Sequence, residues 1–279
     1  MTVRLERIAL HPVKSTAVRP VRHAVVEPWG LRGDRRWMVV TPDDECLTAR
    51  EDRGLFAVTA DTPDTDAGLD AALRLRTPGL EDLTVEVPHG PARPVTVHGR
   101  GLTARDADPA AHAWLREALQ RDDVRLVHVA EPRPLSATHG RPGEATAFAD
   151  AYPVTLASLA SLRRLQDWVA ETALERGEDP TVLAVERFRP NLVVDGDLEP
   201  FAEDGWPAVT VGAVTFRVPK PVDRCVMTTV DPVTRERGHE PIRTLARHRR
   251  WEGTTWFAVQ LVPEVSGDVR VGDEVRPAG

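Results

Sequence analysis

The 279-residue sequence predicts a mixed, β-rich α+β fold, with a β-barrel-like first part and a mixed sheet carrying a few helices after it. Three observations predict it. Short alternating segments crowd the first hundred residues, turn formers separate them, and strong helix-start signals wait until Asp108 and Ser158. At ~150 residues per domain, the length gives about two domains.

The alternating segments are residues 4–10, 22–27, 35–41, 55–60, 73–77, 84–87 and 95–98. Pro28-Trp29-Gly30, Pro42-Asp43-Asp44, Thr77-Pro78-Gly79 and His89-Gly90-Pro91 supply the turns between them. Closely spaced short strands build a barrel or sandwich, not a parallel βαβ sheet. Asp108-Pro109 then joins an N-cap to a proline at the first helical position, and Ala110, Trp114, Leu115, Ala118 and Leu119 supply an apolar face. A second helix follows Ser158, with Ser158 or Ser161 as cap and Leu159, Leu162, Leu165, Trp168 and Val169 on one stripe. Residues 181–189 lead into a strand at 191–194, residues 209–218 form a hairpin turning at Gly212-Ala213, and residues 224–230 read as a strand. A short helix over about 240–250 and strands at 256–262 and 269–275 close the chain. The domain boundary is placed at 121–123, giving domains 1–121 and 122–279.

Composition excludes several classes. With 41% apolar and 28% charged residues the chain is globular, and a net charge of -7 gives no global field for nucleic acid. Arg247-His248-Arg249-Arg250 is a local basic exception, read as the last turn of a helix. No apolar run approaches the ~20 residues that cross a bilayer, and Arg4 and Glu6 stand where a signal peptide would be apolar. Two cysteines, Cys46 and Cys225, make no disulfide framework, so a reducing, cytoplasmic location without membrane contact is expected. Of 36 basic residues only Lys14 and Lys220 are lysines, and Asn191 is the only asparagine. Residue types that survive such a skew are the better candidates for a specific task.

Common site signatures are missing: there is no glycine-rich nucleotide loop, no nucleophile elbow, no paired-cysteine motif and no His-x-x-x-His spacing. Cys225 remains, with Arg224 adjacent and Lys220 near, a setting that favours thiolate and hence a soft metal ligand or nucleophile. The other reading of Cys225 is a small buried hydrophobe, and Cys46, without a basic run, is assigned that role. Two more groups suit anions: His11-Pro12-Val13-Lys14-Ser15, and Arg187-Phe188-Arg189-Pro190-Asn191. Surface ion pairing is the alternative for both.

These stretches resemble MOSC-domain proteins, the group that includes the mitochondrial amidoxime-reducing component and its bacterial relatives. The resemblance rests on His11-Pro12-Val13-Lys14-Ser15, Gly30-Leu31-Arg32-Gly33-Asp34-Arg35-Arg36-Trp37, Leu47-Thr48-Ala49-Arg50, Arg187-Phe188-Arg189-Pro190-Asn191, Arg224-Cys225 with Thr228-Thr229-Val230-Asp231-Pro232, and Val271-Gly272-Asp273. They run from end to end of the chain in the family's order. The resemblance implies a molybdenum cofactor held between a MOSC N-terminal β-barrel-like domain and a MOSC β-barrel domain, with Cys225 on the metal. It implies that Lys14, Ser15 and Arg35 contact the pterin and its phosphate, and that Arg189, Asn191, Asp223 and Arg224 line the same pocket. The segment Asp150-Ala151-Tyr152-Pro153 approaches it too, Tyr152 standing where mitochondrial relatives carry a small residue. Arg235 replaces the glycine that usually follows the threonine at 234.

The activity so implied is reduction of small N-hydroxylated or N-oxide substrates by oxygen-atom removal. No iron–sulfur cysteine cluster follows within the chain, so electrons are expected from a separate protein of ferredoxin, flavin reductase or cytochrome type. Two alternatives stand beside it: a cofactor carrier or sulfur-transfer protein using Cys225 without reductase turnover, and a binding module in which Cys225 is a core residue.

Overall fold

The computed structural model describes residues 2–138 and 140–278; the termini Met1 and Gly279, which bound the expected domains, lie outside them. The chain forms two compact units, one of residues 1–9, 22–26 and 154–279, the other of residues 10–21 and 27–153. No helix among the described residues is long and apolar enough to cross a membrane.

The second of these units carries antiparallel sheets of four and three strands, besides the short pair Arg133–Pro134 with Ala145–Thr146. Strand Trp37–Val40 pairs with Arg125–Val129, which pairs with Arg100–Asp106, which pairs with Arg93–Val97. Thr59–Asp61, Leu73–Arg76 and Leu83–Val85 form the other. Met38, Val40, Val95, Val97, Leu102, Val127 and Phe148 make one apolar cluster beneath the larger sheet. Helix α1 (Pro109–Leu119) starts where the sequence places it, with the Asp108 carboxylate accepting from the Ala111 N–H.

In the other unit the sheet order runs Arg4–Leu10, Leu192–Asp195, Val154–Ser158, Thr254–Pro263, Val214–Arg217, Ala208–Val211, Val275–Pro277, and an Arg4–Glu274 bridge links the two ends of the path. Its parallel pair, Val154–Ser158 with Leu192–Asp195, is joined through helix α2 (Leu159–Arg176), capped by Ser158. The ten-residue strand Thr254–Pro263 is the spine: Pro221–Asp223 and Arg250–Trp251 also pair with it. Leu165, Val169, Phe188, Val193, Leu245 and Phe257 form the core under α2 and helix α3 (Ile242–His248). Arg247 and His248 close the last turn of α3, as the basic cluster predicts, and Arg247 pairs with Glu175.

Four segments differ from the sequence reading. Residues 55–60 are not one strand: Arg53–Ala57 is a 3-10 turn capped by Asp52, and pairing starts only at Thr59. No strand covers 224–230: pairing is confined to Pro221–Asp223, and beyond it the Thr228 and Thr229 hydroxyls donate back to the Cys225 and Val226 carbonyls and hold a 3-10 turn over Val226–Thr229. Residues 269–275 break into Gly267–Arg270 and Val275–Pro277, the Asp273 carboxylate accepting from the Arg270 N–H in between. The seven-residue strand Arg100–Asp106 lacks enough apolar alternation to be visible in the sequence.

Candidate functional site

Cys225 begins the 3-10 turn Val226–Thr229, and its carbonyl accepts from the Thr228 N–H at 3.2 Å and the Thr228 hydroxyl at 3.0 Å. Its loop is pinned on both sides. Before it, the Arg224 N–H donates to Thr255 O at 2.8 Å, and the Arg224 guanidinium donates to Phe257 O at 2.8 Å and Phe188 O at 2.9 Å. After it, the buried Arg187 guanidinium donates to the Asp231 carboxylate at 2.6 Å. Asp231 also accepts from the Val233 and Thr234 N–H groups, each at 2.9 Å. The Thr234 N–H leads the effects that hold this carboxyl below its usual range; Val233 and Arg187 add to it. The thiol-bearing residue is therefore set by backbone contacts and by a charge pair that reaches from the 3-10 turn Val185–Phe188.

That turn ends at Arg189, which takes a left-handed backbone conformation, φ 50°. Two residues on, Asn191 is buried and its amide is a brace: Nδ2 donates to Ala9 O at 3.1 Å and Oδ1 accepts from the Thr155 N–H at 3.2 Å. Asp223 is exposed, 3.7 Å from the Lys220 ammonium, which also lies 5.3 Å from the centre of the Trp256 ring. Within this unit the structure thus brings Arg224 to the carbonyl of the residue before Arg189.

In the other unit Lys14 is buried, and its ammonium donates to Phe148 O at 2.6 Å and to the Asp150 carboxylate. Ser15 is buried at φ 68°. Arg35 sits at φ 49°, its N–H donating to His11 O at 2.8 Å and its guanidinium to Asp34 at 2.5 Å. Burial acts to raise the Asp34 carboxyl, but Arg35 and His11 outweigh it and hold the group well below the ordinary value. Tyr152 is buried two residues beyond Asp150. Gly30, at φ 121°, admits this segment: a Cβ there would stand 3.1 Å from Pro153 Cβ. Burial pushes the Cys46 thiol up to about 11, in keeping with a structural cysteine, whatever the opposing pull of Lys14.

The residues missing from the sequence assignment surround Asp150. Arg50 and His98 reach its carboxylate at 3.4 and 3.2 Å, and Arg100 and Arg133 reach its carbonyl at 3.2 and 3.0 Å. Arg50 belongs to a stretch the resemblance already used; His98, Arg100 and Arg133 lie far from it in sequence and carry no local signal. Among the described residues no group of three or more His, Cys, Asp or Glu side chains is placed to hold a metal ion.

Residues 143–276 match the family model described as MOSC domain, and residues 2–122 the one described as MOSC N-terminal beta barrel domain. The chain is 31% identical over 292 residues to mitochondrial amidoxime-reducing component 1 of Homo sapiens, covering 97% of this chain and 81% of that one. The Xenopus laevis component 1 is 31% identical over 297 residues with the same coverage. Molybdenum cofactor sulfurase of Danio rerio is 30% identical across 92% of this chain, which spans 31% of the sulfurase.

Proposed function

Because the chain belongs to the MOSC-domain family, we propose that it binds a molybdenum cofactor and reduces small N-hydroxylated or N-oxide substrates by oxygen-atom removal. The reading assigns domain 1–121 and cofactor-binding domain 122–279. It assigns the metal to Cys225 and the cofactor's pterin and phosphate to Lys14, Ser15, Arg35, Tyr152, Arg189, Asn191, Asp223 and Arg224. When bound, the cofactor supplies two-electron oxygen-atom chemistry; overall, the substrate N–O bond is cleaved with two electrons and two protons and the oxygen leaves as water.

One observation carries most weight. Ser15, Arg35 and Arg189, on three separate family segments, are three of the ten non-glycine residues in the left-handed region among the described residues. Such a conformation costs roughly 1–2 kcal/mol per residue and persists where the surroundings over-determine it, which happens most at ligand sites. The donor chemistry also suits the group. A lone cysteine suits a metal whose other ligands arrive with its cofactor, while a buried ammonium and guanidinium groups suit a phosphate and pterin edges.

The chain's own residues have distinct tasks. Arg187 and Asp231 position the Cys225 turn; Asp34 orients Arg35; Asn191 holds the strands on either side of it. Electrons come from a separate redox protein, and the compartment assigned is the cytoplasm. The sulfurase likeness favours a second reading, a carrier or sulfur-transfer protein using Cys225.

Turnover of an N-hydroxylated amidine with a chemical reductant separates the two: reductase turnover is expected, and bound cofactor without turnover would support the carrier. Cofactor retention through gel filtration tests the site. Lys14→Ala, Arg35→Lys and Arg189→Lys each lose a charge-assisted or bidentate contact and weaken binding by about ten- to hundred-fold. Arg247→Lys, paired with Glu175 on α2, retains cofactor like the parent. Equal retention by all four variants would overturn the residue assignment.

A further inference from the structure

Around Asp150 the charges do not balance. Lys14, Arg50 and the His98 ring meet one carboxylate, and Arg100 and Arg133 crowd the carbonyl of the same residue. The other acid close by, Glu51, is turned aside, its carboxylate accepting from the Thr48 N–H at 2.9 Å and from the Thr48 hydroxyl. The crowding is felt: burial lowers the Arg133 guanidinium to about 10, and Arg100 adds to the effect. Arg133 is 5% exposed, and among the described residues its Nε–H finds no acceptor.

Two of the bases, Lys14 and Arg133, are buried, and the acid is not. The Lys14 side chain is 5% exposed whereas that of Asp150 is 50% exposed. Arg100 and Arg133 hold the main chain of residues 149 and 150, not the carboxylate, so the carboxylate can swing out without unfolding its segment. His98 is itself held at φ 50° in the tight turn between strands Arg93–Val97 and Arg100–Asp106.

We propose that Asp150 is a built-in surrogate anion: its carboxylate occupies the anion position of a basic cluster formed by Lys14, Arg50, His98, Arg100 and Arg133, and a phosphomonoester dianion exchanges with it. The inference rests on the assignment of Lys14 to a phosphate and extends it to four further residues and a competitor. A dianion offers more charge and more acceptor oxygens than a carboxylate to the same donors. Asp150 thus lowers the affinity of the site for phosphate while keeping Lys14 paired.

The test is calorimetric titration of inorganic phosphate, with glycerol phosphate as the monoester probe, into full-length chain from a host unable to make the cofactor. Asp150→Asn, with Asp150→Ser as a second variant, is expected to bind both probes at least about tenfold more tightly than the parent, because one repelling charge is gone. Adding Arg50→Gln or Arg100→Gln to Asp150→Asn is expected to weaken binding about tenfold, each removing a charge-assisted donor. Asp123→Asn, which breaks a surface pair with Arg121, leaves affinity unchanged. Unchanged or weaker binding in both Asp150 variants, or no phosphate uptake by any protein, would overturn the proposal. If phosphate behaves as stated but the chain never takes up molybdenum, the anion exchange stands and the cofactor reading falls. If molybdenum is bound and Asp150→Asn changes nothing, the reverse holds.

Discussion

Asp61 and Asp150 are the same side chain in the same unit, each surrounded by bases, yet their burial is inverted. Asp61 is fully buried, and its partners Arg19, Arg74 and Arg76 are 27%, 27% and 36% exposed. Asp150 is half in water above a buried lysine. In the first case the acid is the fixed element and the arginines fold over it from strands Arg19–Val21 and Leu73–Arg76, tying neighbouring segments together. In the second the base is fixed and the acid is the part that can leave. Composition is alike in the two clusters; which partner is buried separates a structural counter-ion from an exchangeable one.

The largest expected effect follows directly. Asp61→Asn takes away the fully buried charge that three guanidinium groups share, Arg74 alone keeping a second acid, Asp66, and should cost about 3 kcal/mol in urea unfolding at pH 7. Asp150→Asn should cost less, about 1–2 kcal/mol, because Lys14 keeps Phe148 O and the new amide oxygen still accepts from its ammonium. Equal costs would break the comparison.

Glu203 sharpens it from a third direction. This carboxyl is buried, but it accepts from the Ser161 hydroxyl at 2.7 and 2.9 Å instead of from a guanidinium. Burial therefore dominates and pushes it from 4.5 up to about 7, whereas at Asp61 burial also raises the carboxyl but Arg76 and Arg74 outweigh it and the net shift is downward. The signs are opposite. Glu203 stabilises the fold most below its unfolded value and loses that contribution, roughly 3 kcal/mol, as pH rises to about 7. Asp61 contributes above its unfolded value and loses the contribution as pH falls through its lowered folded value. The stability of Glu203→Gln relative to parent should accordingly rise between pH 4.5 and 8; a pH-independent difference would contradict the assignment.

The smallest effect concerns a backbone position beside the Cys225 loop. Arg235 has φ 62°, the left-handed region that a glycine occupies freely, and its N–H donates to Asp231 O at 2.8 Å. Arg235→Gly relieves strain of roughly 1–2 kcal/mol against the added chain entropy of glycine, so a net gain of about 0.5–1 kcal/mol in unfolding free energy is expected. Loss of stability would show that the arginine side chain outweighs its backbone cost.

Local chemistry was legible in the sequence, and long-range pairing was not. Asp108 and Ser158 announce their helices because a cap acts within three residues. At Arg235 the resemblance marks a departure from glycine, and the left-handed backbone there, φ 62°, is what the structure adds. The 3-10 turn after Cys225 was not legible, since Thr228 and Thr229 are strand formers until their hydroxyls find carbonyls three residues back. Lys14 and Asp150 lie 136 positions apart, and Arg187 and Asp231 lie 44 apart. Charge pairs of that kind leave no periodicity, so the sequence marks these residues as candidates but does not say which of them pair.

The most direct measurement is molybdenum content by elemental analysis, made on full-length parent and Cys225→Ala from a cofactor-competent host. The account predicts up to one molybdenum per parent chain, with metal and N-hydroxylated-substrate reduction lost in Cys225→Ala while its circular dichroism and unfolding midpoint stay near those of the parent. Equal molybdenum and equal activity in the two proteins would contradict it.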